Sequence, residues 1–178
     1  MKATGIVRRI DELGRVVIPK EIRRTLHIRE GDPLEIYTDR EGQIILKKYS
    51  PIGEMGDMAR QFAEALNRVT GHLAVIADRD AVLGASGPHA KDYAEKPLHV
   101  QLEQLMSERR SLRGGSPVAL VMGDAGDYTA QMVVPILAEG EVIGTVSLCS
   151  RDSGAHLGDG EYKAMMTAAG FLGRHMES

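Results

Sequence analysis

Residues 8–24 read RRIDELGRVVIPKEIRR, which places arginines at 8, 9, 15, 23 and 24 and a lysine at 20, with Lys2 just upstream. A guanidinium is a planar fork. It donates two parallel hydrogen bonds to a phosphate or to a guanine edge, while an ammonium adds a compact point charge. Arg8, Arg9, Arg15, Arg23 and Arg24, helped by Lys2 and Lys20, therefore have the right chemistry for gripping a polyanion. The plainer use of the same residues is solubility, or pairing with Asp11, Glu12 and Glu21. The charge distribution leaves both uses open. Residues 1–50 hold 11 Lys and Arg against 8 Asp and Glu, a net of +3, whereas the rest of the chain carries −6. A basic end on an otherwise acidic chain suits one part that meets a polyanion and another that does not.

Other reactive residue types are poorly arranged for chemistry. The six histidines are scattered, without the H-E-x-x-H spacing of a metal site. No G-x-S-x-G nucleophile elbow is present. The glycines of SGAHLGDGE match neither phosphate-loop pattern, so this stretch reads as a turn leading to a helix capped by Asp159. Cys149 is the one cysteine; it can form neither an internal disulfide nor a C-x-x-C site, and the apolar run GTVSLCS suggests a buried thiol. Neither enzymatic activity nor a metal or cofactor is expected. Two loops, 86–96 and 124–128, hold the residues best suited to meeting a small molecule: Ser86, His89, Lys91, Tyr93 and Tyr128.

The elements that must position these groups fall into two styles. In residues 1–50, TGIVRRI and GRVVIP read as strands, and Pro19 opens a helix of about two turns over Lys20 to His27 with Ile22 and Leu26 on one face. Arg29 to Pro33 form a turn, and PLEIYTD and QIILKKY pair as a hairpin through Arg40-Glu41-Gly42. So small a segment, without disulfides or metal, buries too little surface to be stable alone, so an obligate dimer is expected.

SPIGEMGD marks a linker over 51–56, where Pro51, Gly53 and Gly56 interrupt the pattern. Beyond it, Met55, Met58, Ala59, Phe62, Leu66 and Val69 recur at helical spacing, predicting an amphipathic helix over 54–70 ended by Gly71. HLAVIA and AVLGAS read as strands, PLHVQLEQLMSER as a helix, and SPVALVM, TAQMVVPIL and EVIGTVSLC as strands, the last two joined through Glu139-Gly140. GEYKAMMTAAGFLGRHM reads as a final helix. This order predicts an α+β domain over 57–178. The apolar first helix and the Met-rich last one, with Met165, Met166 and Met176, are expected to pair between subunits and join two dimers into a tetramer. No stretch reaches the roughly 20 apolar residues of a membrane span, and the charged N-terminus does not resemble a signal peptide, so a cytoplasmic location is expected.

TGIVRRIDELGRVVIPKEIRRTLHIREGDPLEIY followed by IILKKY closely resembles the DNA-binding domain of the AbrB family of bacterial transition-state regulators, over residues 1–50 nearly end to end. VVPILAEGEVIGTVSLCS resembles the strand–turn–strand of GAF domains, with the likeness extending over roughly 56–178. The first resemblance implies a swapped-hairpin β-barrel made by two intertwined chains. It carries Arg8, Arg15, Arg23 and Arg24 over as DNA contacts, with Arg9 a further basic match. The second implies a small-molecule sensor or dimerisation module, without the signature of cyclic-nucleotide binding. A lone cysteine does not fit the methionine sulfoxide reductases that share the GAF fold.

Together these imply a nucleoid-associated transcription regulator of bacterial sporulation or development genes, able to activate or repress. Its helix is too short for extended groove reading, so AT-rich or degenerate duplex sites, read through DNA shape, are expected. The alternatives are an antitoxin-like module that binds a protein toxin and, in third place, a small-molecule enzyme.

Overall fold

The computed structural model describes residues 5–49 and 56–175. Lys2, Pro51, Gly53, Met55 and Met176, which figure in the expectations above, lie outside the described residues. The chain divides into two compact units, Met1–Tyr49 and Ser50–Ser178.

In the N-terminal unit the expected strands TGIVRRI and GRVVIP do not form: no strand is assigned among the described residues 5–19. A strand exists only as one side of a hydrogen-bonded ladder. Between the two segments, Asp11 N donates to Arg15 O and Gly14 N to Asp11 O, each at 3.0 Å, which closes a turn rather than a ladder. The intervening turn is organised by Asp11, whose Oδ1 accepts from Leu13 N and Arg15 N and whose Oδ2 accepts from Arg15 Nε at 2.9 Å.

Pro19 ends this stretch in an extended conformation (φ −58°, ψ 147°) and serves as the N-cap of α1, Lys20–Thr25. The helix stops two residues sooner than the spacing predicts. His27 adopts a left-handed φ of +52°, Ile28 N donates back to Arg23 O at 2.8 Å, and His27 N donates to Arg24 O. This is a Schellman reversal, with histidine where glycine is usual. A hairpin follows, β1 (Leu34–Thr38) with β2 (Ile44–Lys48), in the register Leu34↔Lys48 to Thr38↔Ile44. Asp39 Oδ1 accepts from Glu41 N and Gln43 N, and Gly42 supplies a φ of +80° to close the turn.

The C-terminal unit is a three-layer α+β domain. Its elements are α2 (Gly56–Thr70), β3 (Leu73–Ala77), β4 (Val82–Ser86), α3 (Val100–Ser107), β5 (Leu112–Arg113), β6 (Ala130–Ala138), β7 (Glu141–Ser150) and α4 (Asp159–His175). The five strands form an antiparallel sheet in the order β4-β3-β7-β6-β5. The β6–β7 turn uses positive φ at both Glu139 (+49°) and Gly140 (+79°), the twist that suits a tight hairpin. One sheet face packs on α2 and α4 around Ile76, Val134, Leu148, Met165 and Leu172. The other packs on α3 and its loops around Val75, Tyr93, Leu102, Leu120 and Val133. Central strands buried on both faces explain the unbroken apolar runs LAVIA and TVSLC. The helices approach the sheet where only glycine fits: a Cβ on Gly173 would stand 2.0 Å from Leu137 O.

Four expectations need correction here. SPVALVM is not a strand. Only Val121 makes a bridge, to Leu98, flanked by His99 N donating to Leu120 O and Met122 N to Pro97 O, and side chains satisfy the rest of the segment. Gln131 Oε1 accepts from Val118 N, Gln131 Nε2 donates to Val118 O, Gln101 Oε1 accepts from Ala119 N, and Asp124 Oδ2 accepts from Leu120 N. Pro97 and Leu98 precede α3 rather than belonging to it; Pro97 bridges Ala81, and His99 is the N-cap. Asp159 is the first residue of α4, not its cap; the Glu161 carboxylate accepts from Gly158 N at 2.8 Å. Val69 is 79 % exposed, because the buried side of α2 is Ala59, Ala63 and Leu66.

Candidate nucleic-acid interface and effector pocket

Arg8, Arg9, Arg15, Lys20, Arg23 and Arg24 are all exposed. Arg23 and Arg24 close the short α1, where cations also favour the helix dipole. Arg15 stands at the end of the Asp11 turn, with Nε held by Asp11 Oδ2. That contact, together with the Arg15 and Leu13 backbone donors, holds the Asp11 carboxyl below its usual range. The turn and the Pro19 corner thus fix the backbone beneath Arg15 and Lys20.

The same unit has an apolar surplus. Among its described residues only Pro19 is buried. Val7 is 88 % exposed, and Leu13, Ile44, Val17 and Ile36 are exposed to a similar degree. Alternating strands normally bury one face, so a hairpin with Ile36 and Ile44 in water lacks the layer that would cover it.

In the C-terminal unit, His89, Tyr93 and Tyr128 come together around a cavity of about 60 Å³, which Leu73, Cys149 and Arg151 also line. Ser86 lies at the end of β4 opposite Ala74, and Lys91 is exposed; neither lines the cavity. Tyr128 Oη donates to Asp124 Oδ2 at 2.5 Å, and the Tyr93 and Tyr128 hydroxyls are 2.9 Å apart. Arg151 lies over the Tyr128 ring and pairs with Asp124 (3.2 Å) and Asp127 (2.9 Å). Burial raises the pKa of both phenols and pushes the Cys149 thiol up to about 12, so the thiol stays protonated and unreactive at neutral pH. Asp124 and Arg151 escaped the sequence reading because charged residues beside strands usually mark solvated ends. The GDAGDY turn that buries Asp124 was the available signal. No cluster of three or more potential metal ligands occurs among the described residues.

A few apolar side chains reach the outer side of α2 and α4 among charged neighbours such as Arg60, Glu64, Lys163 and Arg174. Phe62 and Phe171 meet with ring centroids 5.3 Å apart, Phe171 stacks on His175, and Val69, Phe171 and Met166 are exposed. No helix among the described residues is long and apolar enough to cross a membrane.

Comparison with known proteins places these features. Residues 54–177 match the family model for the stage V sporulation protein T C-terminal domain, a transcription factor. Residues 7–54 match the model of MazE, a bacterial antitoxin that recognises its toxin. Over 99 % of both chains the protein is 54 % identical to stage V sporulation protein T of Bacillus subtilis. Over 51 residues, 29 % of this chain and 52 % of the other, it is 72 % identical to the transition state regulatory protein AbrB of the same organism. A GAF domain from an Acinetobacter phosphoenolpyruvate-protein phosphotransferase superposes with a TM-score of 0.57 at 10 % identity, covering 68 % of this chain and 81 % of that one, which shows the fold. An AbrB-like basic unit therefore precedes a GAF-like domain in a chain matched end to end, and the chain belongs to the stage V sporulation protein T family of transcription factors.

Proposed function

We propose that the chain binds double-stranded DNA through its N-terminal unit, regulating transcription of sporulation or development genes in the cytoplasm, at the nucleoid. Arg8, Arg15, Arg23 and Arg24 contact phosphates and groove edges, with Arg9, Lys20 and Lys2 adding charge. A second copy completes the unit by covering the apolar residues that one chain leaves in water. The observation that carries this reading is the pairing of exposed arginines with an uncovered apolar set in a unit without a core. The GAF-like domain supplies a second contact through the outer side of α2 and α4, which makes a tetramer of two DNA-binding dimers, and its small cavity is an effector site. Light scattering at micromolar concentration checks the assembly: a tetramer is expected, and a dimer contradicts the helical contact.

Fluorescence anisotropy of the full chain with AT-rich duplexes tests the DNA reading. Arg23→Ala/Arg24→Ala removes two charge-assisted contacts per chain, four per dimer, so affinity falls at least about 100-fold while oligomeric mass is unchanged. Unchanged affinity overturns the assignment. The antitoxin model's match to residues 7–54 favours a second reading, in which this unit binds a protein. Stoichiometric co-purification of a small toxin, lost on Arg23→Ala/Arg24→Ala, would support it.

A further inference from the structure

The cavity beside Tyr93 and Tyr128 has a fixed hydrogen-bond polarity. Asp124 is a terminal acceptor: its carboxylate receives Leu120 N, Gly126 N, Arg151 and the Tyr128 hydroxyl. Tyr128 has only one proton, and Asp124 takes it. The 2.9 Å contact between the phenols is then satisfied only if Tyr93 donates to Tyr128. Tyr93 Oη is left with lone pairs and no proton to offer. The charge around the site has the same sense. Asp152 in the lining, with Asp124 and Asp127 behind it, outnumbers the single guanidinium of Arg151. Ser147 and Thr145 continue the row from Cys149 on the same sheet face, but neither lines the cavity, and their buried hydroxyls play no part in it. A cavity of about 60 Å³ admits a few heavy atoms at most, so a head group enters and the rest of a ligand stays near His72 and His89 at its edge.

We infer that this cavity takes the amino or ammonium group of a small ligand, which donates to Tyr93 Oη and lies against the phenol rings. The inference presupposes that the cavity is an effector site, and the test separates the two. Methylammonium, acetate and propan-2-ol, at matched ionic strength and tens of millimolar, are titrated into the full chain. Binding is read by thermal midpoint and by the tyrosine difference spectrum, which five tyrosines and no tryptophan keep clean. Methylammonium is expected to raise the midpoint and perturb the tyrosines, and Tyr93→Phe to weaken it about tenfold or more. The wild-type spectrum keeps the test valid if that variant folds poorly. Preferential response to acetate or propan-2-ol overturns the amine chemistry and leaves the effector site standing. An undiminished methylammonium response in a folded Tyr93→Phe also overturns it. No response to any of the three probes overturns both.

Discussion

The two units of this chain solve the problem of burial in opposite ways. The C-terminal unit sandwiches a five-stranded sheet between two apolar layers and buries nearly all of its central strands. The N-terminal unit buries Pro19 alone among its described residues and leaves Val7, Leu13, Val17, Ile36 and Ile44 in water. Its segments 5–10 and 15–19 carry strand-forming sequences without a ladder. Under the proposed function, a unit of this kind is one half of a dimer. Exposed apolar residues of this kind can mark the seam of an assembly, and in the proposed dimer the basic residues would be doubled.

The largest effect should come from attacking that seam. Ile36→Asp changes a residue that is 66 % exposed in the single chain. For a free surface the cost would stay within about 0.5 kcal/mol. If a second copy covers the position, a buried unpaired charge costs about 3 kcal/mol or more, and DNA affinity and assembly through this unit collapse together. Anisotropy and calorimetry of the full chain check this.

Next comes the opposite case, a defect confined to the well-packed unit. Gly173→Ala drives a Cβ into Leu137 O and forces α4 off β6, at about 3 kcal/mol. Calorimetry should show the C-terminal transition falling while the N-terminal unit keeps its intrinsic DNA affinity. Within the same unit, Gln131→Leu strips the two hydrogen bonds that stand in for a ladder at Val118. A loss of about 2 kcal/mol is expected in chemical denaturation.

Glu161→Ala removes the cap of α4 and should cost about 1 kcal/mol, whereas Asp159→Ala, which leaves that cap in place, should cost less. The pH dependence has a definite sign. Backbone hydrogen bonds, its own N–H first and then Gly158 N, hold the Glu161 carboxyl below its usual value. Its contribution is therefore complete above the unfolded carboxyl's pKa and is lost as pH falls through the lower folded one. The smallest effect is a gain: His27→Gly relieves a left-handed histidine in the Schellman turn and should stabilise the N-terminal unit by about 0.5–1 kcal/mol.

Much of this was legible in the sequence, for physical reasons that differ by region. The runs LAVIA and EVIGTVSLC declared buried strands, and Pro19, Gly42 and Gly71 marked element boundaries, because local sterics govern those choices. SPVALVM departs from a strand because the amides of Gln101 and Gln131, distant in sequence, take the backbone groups of Val118 and Ala119, and no local pattern announces such a substitution. TGIVRRI and GRVVIP read as strands although the single chain gives them no ladder; propensity is local, but pairing needs a partner. At the cavity, His89, Tyr93 and Tyr128 were found as plausible loop residues. Asp124 and Arg151, which set its polarity, were not, since their burial depends on the tertiary fold.

In the proposed function, two copies of a coreless basic unit combine to grip DNA. The salt dependence of binding to an AT-rich duplex distinguishes this from binding by a single copy. Two chains offering about four phosphate contacts each predict a log–log slope of about −7, lowered in magnitude by Arg23→Ala/Arg24→Ala. A slope near −4 would show that one chain's arginines suffice, and a slope near zero would show that the basic residues do not meet phosphate; either result contradicts the account.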